Sequence, residues 1–268
     1  RLMRKVSSAK EIDRAFIARE EAMLILEEDI QMCSDIGDNG LEIIKDLEQN
    51  REFNLIDKPI NILTHCNAGW LGTVEWGTAL APIYKAHREG INIHVWVDET
   101  RPRNQGAKLT SYELLAEGIP HTLVVDNTGG FLMQNGKVDA VFVGADRIAN
   151  CGDACNKIGT YLKALAAYDN QIPFYVFAPF SSIDWSIYNG LNQIEIEERS
   201  PQEISHMSGY LSDSSKDISN ISICSSQTKI FNPGFDITPA RLITKIVTEK
   251  GFADPTQHGL RKLYSSSQ

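Results

Sequence analysis

Long hydrophobic runs are missing from this sequence. No stretch approaches the roughly 20 apolar residues that a membrane-spanning helix requires, and Arg1 to Lys10 contain no signal-peptide core. Basic residues are the minority, 26 Lys and Arg against 35 Asp and Glu, for a formal net charge of -9. A surface of that sign repels nucleic-acid backbones and anionic membranes, so neither is expected as a partner. A small anionic substrate remains open, because a few local donors can outweigh the mean field. Cysteine is sparse and odd in number: Cys33, Cys66, Cys151, Cys155 and Cys224. A secreted scaffold would more often show an even set, so a reducing cytoplasm is expected. Cys151 and Cys155 have no second pair at zinc-like spacing and the six histidines are dispersed, so no metal is expected. G-x-x-x-x-G-K-[S/T], G-x-G-x-x-G and G-x-S-x-G are all absent. Their absence removes the phosphate-loop, dinucleotide and nucleophile-elbow signatures, and no cofactor is expected.

What is present is ordinary globular usage, 42% hydrophobic and 23% charged over 268 residues. Ile12, Phe16, Met23, Leu26, Ile30 and Cys33 form one face of a long helix, which Gly37 and Gly40 are expected to break before a shorter helix over Leu41–Glu48. After Asp57-Lys58-Pro59, short apolar runs alternate with helical stretches. Strands are expected over 60–64, 91–97, 121–125, 138–144 and 173–178, and helices over 75–88, 111–117, 154–168 and 239–250. This grammar predicts a parallel α/β sheet with right-handed crossovers. The Ser- and Asp-rich stretch 205–226 reads as a long loop, and the tail from Ser265 as frayed.

Parallel sheets bind ligands beyond the carboxyl ends of their strands. Three segments meet that criterion. Thr64-His65-Cys66-Asn67-Ala68-Gly69-Trp70-Leu71-Gly72 follows the first strand, and Cys66 in this glycine-containing turn can face a ligand, with a helix N-terminus favouring its thiolate. The competing reading is a small buried filler. Val143-Gly144-Ala145-Asp146-Arg147 carries a strand straight into Asp146, which can handle protons, bind sugar hydroxyls or merely cap the next element. Asn156 and Lys157 are expected to open the following helix, whose free N–H groups suit a phosphate. Asp98-Glu99-Thr100-Arg101-Pro102-Arg103-Asn104-Gln105-Gly106 is a third polar stretch past a strand. Its Arg101, Arg103 and Gln105 can meet phosphate or hydroxyls, or Asp98 and Glu99 can lock the arginines in ion pairs.

Read in order, several stretches resemble the S-methyl-5-thioribose-1-phosphate isomerase family, of the superfamily that includes the regulatory subunits of eukaryotic translation initiation factor 2B. They are Thr64–Gly69, Asp98–Pro102 with Gln105-Gly106-Ala107, Gly144–Arg147, Asn156–Thr160, Ile196–Arg199 and Asn232–Pro239. The resemblance implies a Rossmann-like parallel-sheet domain, residues 58–268, preceded by the remnant of a small helical N-terminal domain, residues 1–57. It implies a cytoplasmic homodimer acting on a small sugar phosphate. It makes Cys66 and Asp146 the catalytic pair, and Gln105, Asn156 and Lys157 substrate contacts. The family's arginines in an Arg-Gly-Ala loop and an Arg-Pro-Thr stretch are not present, which implies that these residues are a fragment that isomerises poorly alone.

Isomerising an aldose 1-phosphate requires opening a ring whose anomeric oxygen carries phosphate. Asp146 suits proton movement between oxygens. Cys66, as a low-pKa thiolate, suits work at carbon, or else the hydrogen moves as a hydride. Two rivals stand beside this reading. A ribose 1,5-bisphosphate isomerase would need a second cationic site, where Trp70 and Trp76 instead imply an apolar wall. A non-catalytic regulatory subunit would not need the Cys66 and Asp146 pair.

Overall fold

The long amphipathic stretch folds as one helix. After α1 (Leu2–Ser8), α2 runs unbroken over Arg14–Gln49. The break expected at Gly37 and Gly40 does not occur. Both glycines are buried in α2, where it crosses α3 (Ala81–Arg88). A Cβ on Gly37 would stand 3.0 Å from the Ala81 Cβ, and one on Gly40 2.7 Å from both Pro82 and the Phe177 ring. Close approach of the two helices offsets the roughly 1 kcal/mol that glycine costs inside a helix. The apolar stripe divides along the length of α2. Phe16 and Met23 are 67% and 48% exposed, whereas Ile36, Leu41 and Ile44 are buried in the core with α3.

The computed structural model describes residues 1–51, 58–212 and 217–265. The segment expected to link two domains, and the tail beyond Ser265, fall largely outside these. In chain order the strands are β1 (Ile60–His65), β2 (Ile93–Asp98), β3 (His121–Val124), β4 (Ala140–Gly144), β5 (Arg147–Ala149), β6 (Ala154–Lys157), β7 (Phe174–Phe177), β8 (Ile183–Asp184), β9 (His206–Tyr210), β10 (Ile218–Ser222), β11 (Phe235–Thr238), β12 (Lys245–Thr248) and β13 (Gly251–Ala253). Seven of them form the main sheet in the order β13-β12-β7-β4-β1-β2-β3, parallel except for β13. Alternate side chains serve two cores, as a doubly covered sheet requires. Ile60, Ile62, Val95 and Phe142 pack with α2, α3 and Leu114. Leu63, Val141 and Val143 pack on the other face with α4 (Thr128–Gln134), α5 (Thr160–Asp169) and the final helix, Gln257–Ser265. None of the described helices is long and apolar enough to cross a membrane.

A second sheet, β11-β6-β5-β8, stands beyond the carboxyl ends of the main strands. It accounts for one departure from expectation. Residues 154–157 do not begin a helix but form β6, paired antiparallel with β11 from 80 residues later in the chain, as in Asn156 with Asp236. The helix starts only at Thr160, after Gly159 in the left-handed region at φ 103°. Residues 239–250 are likewise not a helix. The run Ile243, Thr244, Ile246, Val247 and Thr248 is β-branched, and its centre is the parallel strand β12 beside β7. In the stretch expected as a long loop, β9 and β10 pair antiparallel, and residues 213–216 lie outside the described set. The helix expected from Glu75 begins at Ala81, because Trp76 and Gly77 both take positive φ.

Candidate active site

β1 and β4 are neighbours, and their register sets His65 against Val143. Cys66 and Asp146 thus leave adjacent strand ends on the same edge of the sheet. Cys66 turns sharply, at φ 70°, in a region an L-residue enters only when its surroundings hold it there. Two threonines hold it. The Cys66 N–H donates to Thr100 Oγ1 at 2.8 Å, and Thr110 Oγ1 donates to the Cys66 carbonyl at 2.7 Å. Asn67 donates to Thr110 and Glu113, and the buried Glu113 carboxylate also accepts the N–H groups of Trp70 and Leu71 and the Tyr84 hydroxyl. The low thiol pKa expected here is not found. Burial pushes the Cys66 thiol up to about 11, against the opposing pull of the Asn67 amide and the Lys157 charge.

Asp146 is brought to the second sheet by its own N–H, which donates to the Cys155 carbonyl at 2.9 Å. Its side chain is exposed. Partial burial still raises its carboxyl above the usual carboxylate range, while Lys157 draws it down. Asn156 and Lys157 are 5% and 6% exposed. Lys157 Nζ lies 4.1 Å from the centre of the Phe235 ring. Among the described residues it has no hydrogen bond or ion pair. Its charge reaches the Asp146 carboxyl without an ion pair between them, and an anionic ligand can give it a closer counter-charge. The helix N-terminus expected to share that anion is already filled, since Asp236 accepts the N–H groups of Gly159 and Tyr161 at 2.7 and 3.1 Å.

Gln105 precedes a single π-turn over Gly106–Thr110. Its Oε1 is buried with no partner, as is Oδ1 of Asn104. Both residues line a cavity of about 590 Å³ with Arg103, Lys108 and the hairpin residues His206 and Ser208. Asp146 lines a different cavity, of about 610 Å³, with Arg147, Ser181, Ser182 and Trp185. Neither cavity includes the two tryptophans expected as an apolar wall. Trp70 and Trp76 line a smaller one of about 210 Å³, and the Trp76 ring is faced by Lys85 and Arg88.

Asp98 does not lock the arginines. It is buried, and its Oδ2 meets His65 Nδ1 at 3.0 Å and Lys163 Nζ at 3.2 Å. His65, Asp98 and Asp126 come close enough to ligate one metal ion. The Lys163 ammonium already supplies the positive charge there, and Asp126 accepts the N–H groups of Thr100 and Arg101. These donors fit a hydrogen-bonded cluster better than a metal site. Sequence reasoning passed over Thr110, Glu113, Lys163 and Asp236. Asp236 stands inside the stretch Asn232–Pro239 without having been given a role, and the other three had only their sequence neighbourhood as a signal. The partners of all four are about 30 to 80 residues away.

The sequence pattern of the initiation factor 2 subunit family matches residues 1–255. A Methylorubrum extorquens protein named methylthioribose-1-phosphate isomerase is 52% identical over 256 residues, covering 96% of this chain and 68% of that protein. The protein of the same name from Rhizobium meliloti is 53% identical over 254 residues, 95% of this chain and 68% of its own length. Among solved structures, the Pyrococcus horikoshii 5-methylthioribose 1-phosphate isomerase superposes with a TM-score of 0.81 at 36% identity, over 98% of this chain and 67% of that one. A structure described as translation initiation factor eIF-2B, subunit delta, from A. fulgidus has a TM-score of 0.82 at 35% identity, over 99% and 71%.

Proposed function

The chain belongs to the initiation factor 2 subunit family, and within it we propose that this protein is an aldose–ketose isomerase. It converts S-methyl-5-thioribose 1-phosphate to S-methyl-5-thioribulose 1-phosphate. The observation that carries this reading is the buried, unpaired Lys157, whose charge acts on both the Cys66 thiol and the Asp146 carboxyl. A phosphate monoester supplies the closer counter-charge. A cytoplasmic homodimer, with a helical segment over residues 1–57 before the catalytic domain, belongs to the same reading.

The route asks Asp146 to begin with a proton, and partial burial moves its carboxyl in that direction. It gives its proton to the ring oxygen as the bond from that oxygen to C1 breaks. The resulting carboxylate then takes the 2-hydroxyl proton as the carbonyl forms at C2, while the C2 hydrogen passes to C1. Protons balance on Asp146 alone, and no external electron acceptor is required. A thiol with a pKa near 11 is neutral at pH 7, which disfavours Cys66 as a base at carbon and favours hydride movement. Cys66 and Gln105 then orient the sugar and keep water from the reacting carbons.

The test is a coupled measurement on the sugar phosphate deuterated at C2. Ketose formation with the label retained at C1 supports the route, and loss of label to solvent returns the carbon step to Cys66. No ketose at all favours the regulatory-subunit reading. The two solved relatives do not separate these alternatives by shape, with TM-scores of 0.81 and 0.82. The presence of Cys66, Asp146 and Lys157 favours the enzyme.

A further inference from the structure

His65 is fully buried one residue before Cys66, and both of its ring nitrogens are engaged. Nδ1 meets Asp98, which is held in turn by Lys163. Nε2 lies 2.8 Å from the Ile158 carbonyl oxygen. A carbonyl oxygen only accepts, so Nε2 bears the hydrogen. Ile158 directly follows Lys157. The chain passes the ring so closely there that a Cβ on Gly159 would stand 3.0 Å from Cε1 and Nε2. Thr160 Oγ1 donates to the Lys157 carbonyl at 2.6 Å and accepts from Asn156 Nδ2 at 3.0 Å. The turn is therefore stiff as well as close. β1 and β6 lie in different sheets. Among the described residues, no other hydrogen bond joins residues 60–66 to residues 154–160.

We infer that His65 is a positioning residue for the proposed isomerisation: its Nε2–H bond to Ile158 sets the Cys66 end of β1 against the segment presenting Asn156 and Lys157. The inference rests on the functional reading above. It differs from a purely structural role, in which the bond to Asp98 would be the one that matters, tying β1 to β2 inside the main sheet.

The two ring nitrogens can be tested separately. Gln places its amide nitrogen near the position of Nε2, and Asn places its own near Nδ1. With both variants checked for folding by circular dichroism, His65→Gln should keep kcat/KM within about tenfold of the parent. His65→Asn should lose about a hundredfold, the scale of an ångström-sized misplacement, with a raised KM as Lys157 shifts. Equal losses, or a better-preserved Asn variant, would overturn the inference. If either variant fails to fold, imidazole 15N NMR on the unmodified chain decides. A protonated, slowly exchanging Nε2 at His65 whose resonance moves on adding inorganic phosphate supports the link, and an unprotonated Nε2 or an unmoved resonance overturns it. An unmodified chain without isomerase activity would instead overturn the functional reading, leaving the NMR result to judge the link.

Discussion

Around Cys66, on the main sheet, the turn that carries the thiol is densely hydrogen-bonded. Its N–H and carbonyl are each bound to a threonine, Asn67 to Thr110 and Glu113, and His65 at both nitrogens. On the second sheet, Lys157 has only an aromatic ring beside its charge, and the Asp146 carboxylate has no side-chain partner among the described residues. The Cys66 turn is held by the protein's own groups, whereas the charge of Lys157 is left for a ligand to meet. The difference assigns different tasks. The rigid side fixes geometry, while the Lys157 side supplies charge and protons and is stabilised when substrate binds.

The sharpest way to break this contrast is Asp146→Asn. Turnover should fall by about 10²- to 10⁴-fold, as for loss of a general acid–base group. Because the side chain is exposed, stability should stay within about 0.5 kcal/mol, read as an unchanged Tm. Near-normal turnover would remove Asp146 from the reaction. Lys157→Met comes next. Losing a charge-assisted contact to phosphate costs about 1.5–3 kcal/mol, so KM should rise more than tenfold. Tm should hold or increase, since an unpaired buried charge has gone. A marked fall in Tm would mean that the lysine already has a partner.

On the hydrogen-bonded side the balance should reverse. Thr110→Val leaves the Cys66 carbonyl and the Asn67 amide short of a partner, at about 1–3 kcal/mol. Tm should drop by several degrees, with turnover reduced less than in the Asp146 variant. The smallest effects concern thiol titration. Alkylation of Cys66 by iodoacetamide should be slow at pH 8 and rise toward a midpoint near 11. Lys157→Met removes a cation that favours the thiolate and should move the midpoint higher, while Asp146→Asn removes an anion and should move it lower. A midpoint at the ordinary thiol value, about 8.5, would contradict the burial argument.

The same contrast explains what could be read without coordinates. Five strands of the main sheet, β1, β2, β3, β4 and β7, were legible as short runs with apolar residues between turn signals, whereas β12 was read as part of a helix and β13 was not read. Cys66 and Asp146 were legible as positions because the strand-end rule needs only a strand and its exit. The second sheet was not. Ala154-Cys155-Asn156-Lys157 has no periodicity of its own and becomes a strand through pairing with Phe235–Thr238. Reading it as a helix start placed the phosphate on amides that Asp236 occupies. The Cys66 thiol was misjudged for a related reason, since a nearby cation can be guessed from sequence but the depth of burial cannot.

The unbroken α2 has a mechanical consequence. At 1.5 Å per residue, its 36 residues form a rod about 54 Å long. The rod is clamped at one end, where Gly37 and Gly40 admit Ala81, Pro82 and Phe177, and its other half carries exposed Phe16, Met23, Leu24 and Ile25. It behaves as a cantilever. A methyl group added at Gly40 would shift the clamp by only a fraction of an ångström. The free end would move further, in proportion to its distance from the clamp, so the tolerance set by two missing side chains governs where the distant apolar stripe is held.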